Sequence, residues 1–309
     1  MTKQKKLAVL GSINADHVIS VPHFARPGET LSGSNYHIAY GGKGANQAVA
    51  AARLGMATDF IACIGNDGIG QAMKKTFAED GINTDTVVAI ENEMSGVALI
   101  QVAASGENSI VIAGGANAYL DDKLVEKFAA NIKQADALLM QLETPMSGIL
   151  AAAKLAKQSG TEVILNPAPA QPLSDELLSL LDMITPNETE AEILTGIQVK
   201  DEASARQAAA VFHQKGISLV LITLGAKGVF VSEKGGNAQL VAGFRVQAVD
   251  TTAAGDTFNG ALLTGLLEDK PLAQAIRFAH AAAAISVTRN GAQPSIPTRQ
   301  EVDEFLRNQ

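Results

Sequence analysis

The sequence predicts an α/β protein, with a mostly parallel sheet covered by helices on both faces and a small antiparallel sheet projecting from it. Three observations predict this fold. Short apolar runs alternate with longer helical patterns, the runs are apolar throughout, and two β-rich segments interrupt the rhythm. Because strands that are apolar throughout are typical of sheets buried on both faces, we expect helices on each side of the large sheet.

The strands of the large sheet are predicted at apolar runs that end in glycine, proline or polar residues. In chain order these runs are 7–10, 60–64, 137–142, 163–165, 183–185 and 219–223. The helices between them are predicted at stretches that often begin at Asp or Ser and end before Gly, as helix caps prefer. These stretches are 43–54, 67–80, 121–133, 146–158, 201–215 and 256–267.

Two segments, at about 13–40 and 95–112, break the alternation of strands and helices. Each holds two β-rich runs joined by a turn, which is typical of an antiparallel hairpin. The four runs are 17–21, 34–39, 95–102 and 109–112. We expect both hairpins to belong to one small sheet outside the core.

Composition excludes several classes of protein. The chain has 24 basic and 32 acidic residues, a formal net charge of −8, which argues against a nucleic-acid-binding protein. The lone Cys63 excludes an internal disulfide framework and a cysteine-based zinc site. No apolar run is long enough to span a membrane, and the run at 7–10 is too short for a signal peptide, so we expect a cytoplasmic protein without membrane partners.

A glycine-rich turn, Gly41–Asn46, precedes the first predicted helix. Its glycines allow close approach of a ligand to the backbone, and a helix N-terminus favours an anionic or polar group. It is not a phosphate-binding P-loop, because Lys43 is followed by Gly44 instead of Ser or Thr. A plain strand-to-helix turn is the alternative interpretation.

The stretch from Asp250 to Phe258 carries the strongest signal. Ala253, Ala254 and Gly255 are small and lie directly before a helical pattern, so their backbone N–H groups are expected to form an anion site at the helix N-terminus. Asp256 would lie beside that site, where a carboxylate is unfavourable unless it accepts a proton. The alternative is that Asp256 is an ordinary N-cap.

Two further turns follow predicted strands. Asn187 and Glu190 suit a hydrated magnesium ion, which takes few protein ligands, and they equally suit a helix start with an Asn N-cap. The turn at 223–228 is rich in glycine and lies where nucleotides commonly bind in α/β sheets, although this signal is weak alone. His280 lies in an Ala-rich helix, and its role is left open by the pattern.

These motifs, in this order, resemble the ribokinase family of sugar and nucleoside kinases over the whole chain. The segments 11–16 and 41–55 are similar to the first signature of that family, and 250–260 is similar to the second. The late segment 291–295 strengthens the resemblance. It implies one doubly wound kinase domain over 1–309, with a β-sheet lid formed by the insertions at about 13–40 and 95–112.

The resemblance implies transfer of phosphate from ATP to the 5-hydroxyl of D-ribose. Asp256 would be the catalytic base. The N–H groups of Ala254, Gly255 and Asp256, in the turn that begins at Ala253, would stabilise the transferring phosphoryl group. The family's sugar-binding positions correspond here to Asn14, Asp16, Gly42, Lys43, Gly44, Ala45, Asn46, Glu143 and Asp256.

The resemblance also implies a nucleotide site and two cation sites. The nucleotide positions correspond to Asn187, Thr223, Leu224, Gly225, Ala226, Lys227, Gly228, Gly255 and His280. Asn187 and Glu190 would organise Mg²⁺ through water. K⁺, as an activating cation, would be held mostly by backbone oxygens of Asp250, Thr252, Ser286, Arg289, Gly291 and Ser295.

The resemblance further implies a homodimer formed through the lids. It leaves three alternatives open: a fructokinase-like sugar kinase, a nucleoside kinase, and a catalytically silent sugar-binding regulator. A nucleoside kinase is expected to carry an aromatic or apolar platform in the lid, whereas this lid carries Asn14, Asp16 and Phe24. Asp256 and the small residues before it argue against a silent regulator.

Overall fold

The computed structural model describes residues 4–309 and divides their strands between two sheets. The strands are β1 (Lys6–Leu10), β2 (Asn14–Val21), β3 (Ser34–Gly41), β4 (Ala57–Gly65), β5 (Val87–Ile90), β6 (Gly96–Ala103), β7 (Asn108–Ala113), β8 (Ala137–Met140), β9 (Glu162–Leu165), β10 (Met183–Ile184), β11 (Leu219–Thr223), β12 (Val229–Glu233) and β13 (Ala238–Val241). The large sheet has the order β13-β12-β11-β10-β9-β8-β1-β4-β5, and the small sheet has the order β3-β2-β6-β7.

Helices flank the large sheet. The α-helices are α1 (Lys43–Arg53), α2 (Gly68–Glu79), α3 (Asp122–Lys127), α4 (Ala129–Gln134), α5 (Met146–Ser159), α6 (Asp175–Leu180), α7 (Glu188–Thr195), α8 (Glu202–Gln214), α9 (Ala254–Leu267), α10 (Leu272–Ser286) and α11 (Arg299–Arg307). Strand β1 pairs in parallel with both β4 and β8. After β1, the chain adds β4 and β5 to the large sheet on one side of β1, and then β8 to β13 on the other side. The predicted doubly wound, mostly parallel architecture is confirmed.

The position of strand β1 between two helix layers explains why the run 7–10 is apolar throughout. Leu7 and Val9 belong to a core cluster that includes side chains of α1, α9 and α10. Ala8 and Leu10 belong to a second cluster on the opposite face, with side chains of α5 and α8. Because successive side chains of a strand point to opposite faces, a strand between two helix layers needs an apolar residue at every position.

The small sheet is formed by the two predicted hairpins. β2 pairs with β3, and β6 pairs with β7, in antiparallel register. The hairpins join through a parallel pairing of β2 with β6, which places Asn14 opposite both Gly41 and Gly96. The base of the small sheet therefore lies next to the turn that enters α1.

Several details differ from the sequence-based expectation, which also lacked strand β5 and helices α6 and α11. The predicted helix at 121–133 is broken at Phe128 into α3 and α4, because Phe128 takes a non-helical conformation (φ −108°, ψ 17°). Helix α9 starts at Ala254, two residues before the predicted start. Strands β12 and β13 extend one edge of the large sheet in antiparallel register, and the sequence pattern did not predict them. Within residues 4–309, no helix is both long and apolar enough to cross a membrane.

Candidate active site

A polar cavity of about 220 Å³ lies where the carboxyl ends of the central strands meet the N-terminus of α9. Parallel strands bring the residues that follow them to one edge of a sheet, and ligands of open α/β sheets bind at such an edge. The predicted site residues that line the cavity are Lys43, Asn187, Glu190, Thr223, Ala253, Ala254, Gly255 and Asp256. Residues separated by more than 200 positions in the sequence are thus brought together.

The N-terminus of α9 presents free backbone donors to this cavity. Ala253 is its N-cap and adopts a left-handed conformation (φ 58°, ψ 12°), which turns the chain sharply into the helix. No acceptor within the described residues contacts the N–H groups of Gly255 and Asp256. The Ala254 N–H, which was expected to face the ligand, instead donates to the Thr251 carbonyl at 3.2 Å. Two of the three expected donors are therefore available to an anion.

Asp256 lies in the first turn of α9 and is buried. Its Oδ2 accepts a hydrogen bond from Asn46 Nδ2 at 2.9 Å, and its Oδ1 accepts one from Gln47 Nε2 at 2.9 Å. Burial raises the pKa of Asp256, while the nearby Lys43 ammonium and the two amides oppose this shift. The result is a carboxylate of fixed orientation whose basicity is greater than that of an exposed aspartate.

Lys43 begins α1 and faces the same cavity. Burial alone would lower the pKa of Lys43, but the carboxylates of Asp256, Glu143 and Glu190 raise it overall. The ammonium is therefore held in its charged form near three negative groups. The preceding Gly42 has a φ of 89°, and a Cβ there would lie 2.8 Å from the Asn14 amide nitrogen, so this turn requires glycine.

Glu143 connects the turn before α1 to the strand end at β8. Its Oε2 accepts hydrogen bonds from the Ser12 hydroxyl at 2.5 Å and from the Lys43 backbone N–H at 3.0 Å. A Cβ at Gly44 would lie 2.6 Å from the Gly11 Cα, so β1 and α1 are in close contact here. The Ala45 N–H donates to the Ser12 carbonyl at 2.9 Å, which completes the turn.

Asn14 and Asp16 reach this region from β2. The Asn14 Oδ1 accepts a hydrogen bond from Asn117 at 2.9 Å, and Asn117 also bonds both backbone groups of Ile13. A Cβ at Gly41 would collide with the Asp16 carboxylate. Burial, followed by the charge of Glu143, raises the pKa of Asp16 to about 7. Asn14, Asp16, Glu143 and Lys43 thus surround one glycine-rich turn.

Asn187 and Glu190 form a capping box at the start of α7. Asn187 Oδ1 accepts from the Glu190 N–H, and Glu190 Oε2 accepts from the Asn187 N–H, each at 2.8 Å. The helix-start interpretation is thus confirmed, and both side chains still line the cavity. Burial raises the pKa of Glu190, although Lys43 and the Asn187 N–H oppose the shift. A short parallel bridge joins Asn187 to Thr223 at the end of β11.

The turn after β11 is shaped by two glycines with positive φ, Gly225 (55°) and Gly228 (106°). A 3₁₀ turn over Gly225–Lys227 and a hydrogen bond from the Leu224 N–H to the Gly228 carbonyl close it. Thr223 lines the cavity, while Gly225, Ala226 and Lys227 are exposed. Residues 223–228 thus form a partly exposed surface beside the cavity, which we call the ledge.

His280 is buried in α10 and does not line this cavity. Its ring packs against Phe258 with a centroid separation of 5.4 Å. Burial lowers the pKa of His280 to about 4, although a hydrogen bond to the backbone of Ala242 opposes the shift. The imidazole is therefore neutral at physiological pH.

The loops predicted to hold K⁺ lie side by side near the N-terminus of α9. The Asp250 carboxylate accepts hydrogen bonds from the Thr252 N–H at 2.9 Å, the Thr252 hydroxyl at 2.6 Å and the Gly291 N–H at 2.8 Å. The hydroxyls of Ser286 and Ser295 each bond a carbonyl of their own turn. The Arg289 side chain is paired with Glu301 at 2.6 Å. The side chains therefore hold the loops together and leave backbone oxygens available.

Five cavity residues were not predicted from the sequence: Asn166, Ala168, Thr185, Thr251 and Asn259. Asn166 follows the predicted strand 163–165, and Thr185 is the last residue of the predicted strand 183–185. A position at a strand end was the signal that could have identified them. Asn259 lies one turn into α9, on the face of Gly255, where helical periodicity could have suggested it. Among the residues that the structure describes, no three His, Cys, Asp or Glu side chains form a direct metal-binding cluster.

The chain is similar to known ribokinases over its full length. Ribokinase of Haemophilus influenzae is 66% identical over 305 residues, which cover 99% of each protein. Ribokinase of Staphylococcus aureus is 43% identical and covers 97% of this chain and 99% of that protein.

Solved structures agree with the sequence comparison. A ribokinase of Thermotoga maritima is 41% identical, with a TM-score of 0.90 over 98% of this chain and all of that one. An Arabidopsis thaliana ribokinase complexed with ribose and ATP is 35% identical, with a TM-score of 0.94 over 98% and 99% of the two chains. A model of the pfkB carbohydrate kinases matches residues 4–299. The chain described here therefore belongs to the pfkB family of carbohydrate kinases.

Proposed function

We propose that this protein transfers the γ-phosphate of ATP to the 5-hydroxyl of D-ribose. The observation that carries the proposal is the placement of Asp256. Its buried carboxylate lies at the N-terminus of α9, next to two free backbone donors and near the Lys43 ammonium, in one cavity. A base, an anion site and a cation are thus combined at one point. The ribokinase relatives, and the structure with ribose and ATP, support these substrates.

The proposed reaction follows from these groups. Asp256 accepts the proton of the 5-hydroxyl while that oxygen attacks the γ-phosphorus, a contribution of roughly 10²–10⁴-fold for a positioned base. The N–H groups of Gly255 and Asp256 stabilise the negative charge on the transferring phosphoryl group. Lys43 lines the same cavity and adds positive charge near the Asp256 carboxylate. Phosphoryl transfer depends mostly on such positioning and charge stabilisation.

Sugar recognition is assigned to the turn before α1 and the base of the small sheet. The proposed ribose ligands are Asn14, Asp16, Gly42, Lys43, Gly44, Ala45, Asn46 and Glu143. Their chemistry supports this assignment. Carboxylates accept hydrogen bonds from hydroxyl groups, and side-chain amides can both accept hydrogen bonds from hydroxyl groups and donate hydrogen bonds to them. Asn46 Oδ1 is buried and has no partner among the described residues, so an acceptor is free for a hydroxyl.

Nucleotide binding is assigned to the ledge formed by residues 223–228, together with Asn187 and Gly255. Thr223 and Asn187 are joined by a parallel bridge and line the cavity beside the anion site, which suits the phosphate chain. The exposed turn beyond them suits the adenosine moiety. His280, neutral and packed against Phe258, is assigned to the adenine side of this ledge.

The residues fit a hydrated magnesium ion that accompanies ATP. Glu190 Oε2 is occupied by its capping hydrogen bond, while Oε1 accepts no hydrogen bond from residues 4–309. A free, partly buried carboxylate oxygen beside a phosphate site suits water molecules held by Mg²⁺. Such an ion supplies charge neutralisation for the phosphates. Asn187 and Glu190 would hold its water ligands.

The loops behind α9 fit a weakly hydrated monovalent cation. The backbone carbonyls of Asp250, Thr252, Arg289 and Gly291 accept no hydrogen bond within the described part of the chain. These unused oxygens belong to two loops that the Asp250 carboxylate ties together. We therefore assign K⁺ to this region, with Ser286 and Ser295 as the further positions. Its contribution would be to order the loop that precedes Gly255.

A homodimer through the small sheets is proposed on the basis of their exposed apolar residues. Tyr36, Ile38, Leu99, Val111 and Ile112 are all more than 40% exposed. The strand register aligns Ile38, Leu99 and Val111 across the sheet on either side of His17, so these side chains form an apolar surface on one face, and Tyr36 lies beside His17 on that face. Ile112 lies on the opposite face. Such a surface on a sheet usually marks an interaction site.

The function is tested by measuring ADP release with ATP and a panel of D-ribose, 2-deoxy-D-ribose, D-fructose and adenosine. We expect the highest kcat/KM with D-ribose, and ³¹P NMR should identify the product as a 5-phosphate. A higher kcat/KM with fructose or adenosine would replace this assignment by a fructokinase or a nucleoside kinase. Ribose binding without any ADP release would indicate a regulator.

A further inference from the structure

Gln47 occupies a position in α1 that the sugar and nucleotide assignments do not use. Its side chain is completely buried, and its amide makes three hydrogen bonds. Nε2 donates to Asp256 Oδ1 at 2.9 Å and to Asn166 Oδ1 at 3.0 Å. Oε1 accepts from Gln141 Nε2 at 2.6 Å. Both amide hydrogens and the carbonyl are thus committed inside the protein.

These partners fix which end of the amide faces Asp256. The carboxylate of Asp256 has no hydrogen to donate when it is ionised, so the group that faces it must be the NH₂. Gln141 donates to the carbonyl end and thereby stabilises the same orientation. A hydrogen bond donated to a carboxylate favours its ionised form. Gln47 therefore both orients Asp256 and favours the state in which it can accept a proton.

The hydrogen bonds continue beyond Gln47 and return to α9. Asn166 Nδ2 donates to the Thr185 carbonyl at 2.9 Å, and the Thr185 hydroxyl donates to Asn259 Oδ1 at 2.7 Å. Asn259 Nδ2 then donates to the Gly255 carbonyl at 2.9 Å. The series connects the carboxylate of Asp256 with the peptide of Gly255, one residue before it. The base and the turn that carries the free N–H groups are thus held by one set of buried amides.

Asn46 differs from Gln47 although both bond to Asp256. Asn46 donates to the other carboxylate oxygen, but its own Oδ1 is buried without a partner among residues 4–309. That free acceptor is consistent with a direct sugar contact. Neither residue lines the cavity, but the amide nitrogen and the carbonyl oxygen of Gln47 are both engaged inside the protein. The two neighbours in the sequence therefore have different roles.

We propose that Gln47 is a positioning residue, which acts on the transferred proton only through Asp256 and holds the base in register with the anion-binding turn at Gly255. This inference rests on the proposed kinase function. Its prediction is specific, because loss of Gln47 should change the rate of the chemical step and its pH dependence. Binding of ribose should remain close to that of the parent protein.

The test compares Gln47→Met with Gln141→Leu. Met has a similar length to Gln and adapts to irregular space, so it removes the hydrogen bonds with little change in volume. We expect Gln47→Met to lower kcat by roughly 10- to 10²-fold, a part of the roughly 10²–10⁴-fold that a positioned base supplies. The acid limb of its kcat–pH profile should move to higher pH, because the ionised carboxylate has lost a donor. Ribose affinity by calorimetry should stay close to that of the parent.

Gln141→Leu is the matched control, since it removes a second buried amide that does not touch Asp256. Because Gln141 holds the Gln47 amide but does not touch Asp256, its loss should move the acid limb in the same direction and lower kcat, both far less than in Gln47→Met. If both variants show the same kcat and the same pH profile, Gln47 has only a structural role and the proposal is overturned. A large loss of ribose affinity in Gln47→Met with kcat retained would likewise overturn it.

Gln47→Glu covers the case in which Gln47→Met does not fold. It keeps the shape of the side chain but replaces the donor by a second carboxyl group beside Asp256. Like charges in contact disfavour ionisation, so the acid limb should move upward further than in Gln47→Met. An unmoved acid limb in a folded Gln47→Glu protein would overturn the proposal. The parent protein is assayed in parallel, and its failure to form ADP with ribose would instead contradict the proposed function.

Discussion

The two sheets of this molecule obtain their stability in different ways. Strand β1 is enclosed by helices on both faces, and Leu7 to Leu10 are completely buried. Strand β7 of the small sheet is exposed at every residue, although it contains Ile110, Val111 and Ile112. The large sheet is thus covered by its own chain, whereas the small sheet has no cover on its apolar surface within the described residues.

The same contrast separates the proposed roles. The proposed base, anion site and nucleotide ledge are carried by the large sheet and its helices, where the Asp256 carboxylate is held by buried amides. The small sheet contributes Asn14 and Asp16, which lie at its base and not at its exposed end. We therefore expect changes in the core to affect the chemical step, and changes in the small sheet to affect sugar binding and association.

The largest effect is expected from Asp256→Asn. The amide keeps the shape of the side chain but cannot accept the proton, so kcat should fall by the roughly 10²–10⁴-fold that a general base contributes. Ribose affinity, measured by calorimetry, should be largely retained. A kcat within about tenfold of the parent would remove Asp256 from the role of base and weaken the assignment of chemistry to the core.

The second-largest effect is expected from potassium, which should act only on the core and therefore on the chemical step. An ion behind α9 would fix the direction of the backbone donors at Gly255 and Asp256, and loss of one such donor costs roughly 10²–10³-fold in rate. Initial rates are measured in a buffer with a bulky organic cation, titrated with KCl or NaCl at constant ionic strength. KCl should raise kcat more than NaCl does. Equal rates in both salts and in their absence would contradict the cation assignment.

Asp16→Ala tests the contribution of the small sheet. A carboxylate that accepts hydrogen bonds from sugar hydroxyls contributes roughly 1.5–3 kcal/mol for each bond, or about 10- to 100-fold in affinity. We expect the ribose Kd to rise by that factor, while kcat at saturating ribose changes much less. If kcat falls as far as in Asp256→Asn, the proposed division of roles between the two sheets is wrong.

The pH dependence of sugar binding gives a smaller effect at the same residue. Burial and the charge of Glu143 raise the pKa of Asp16 to about 7, so this carboxyl group is partly protonated near neutrality in the free protein. Sugar hydroxyls donate to the ionised form, and ribose affinity should therefore increase as the pH rises toward 7 and level off above it. One competing proton changes affinity by at most about tenfold per pH unit. Asp16→Asn should show no such rise, and a rise that persists in this variant would assign it to another group.

The smallest effect on catalysis is expected at the exposed surface of the small sheet. Leu99 is 54% exposed and pairs with Val111, so Leu99→Glu places charge in the middle of the apolar surface. Analytical ultracentrifugation should show a dimer for the parent and a monomer for the variant at micromolar concentration. The melting temperature of the large-sheet core should change little. A dimer that survives Leu99→Glu would show that another surface associates.

Candidate site residues were predictable from the sequence where they lie at a helix start or a strand end. Lys43 and Asp256 stand at helix starts next to glycine or alanine, and Asn187 follows a strand, so each position was predictable from turns and caps. Gln47 was not predictable in this way. Within an Ala-rich helix it is indistinguishable from a solvent-facing glutamine, and only the packing of α1 against α9 brings it to Asp256. Asn117 was missed for the same reason, since its partner Asn14 is more than 100 positions away.

The edges of the fold were also beyond the sequence pattern. Strands β12 and β13 are antiparallel additions beside β11. No helical pattern separates them, so they fall outside the strand–helix alternation that predicted the other strands of the large sheet. The break at Phe128 depends on how α3 and α4 pack against α5, since both segments retain helical composition. In each case the deciding interaction is tertiary, and local preference is a weak guide there.

The left-handed conformation of Ala253 at the start of α9 combines a strained backbone with a restricted one. An L-residue in this conformation costs roughly 1–2 kcal/mol, which glycine would avoid. Glycine would also give the unfolded chain more freedom, at a cost of about 0.4–1 kcal/mol in stability. The relief of strain is the larger effect, so Ala253→Gly should fold as well as the parent or be slightly more stable. The methyl group instead restricts the alternatives open to this turn, and the free N–H groups keep one direction between successive catalytic cycles.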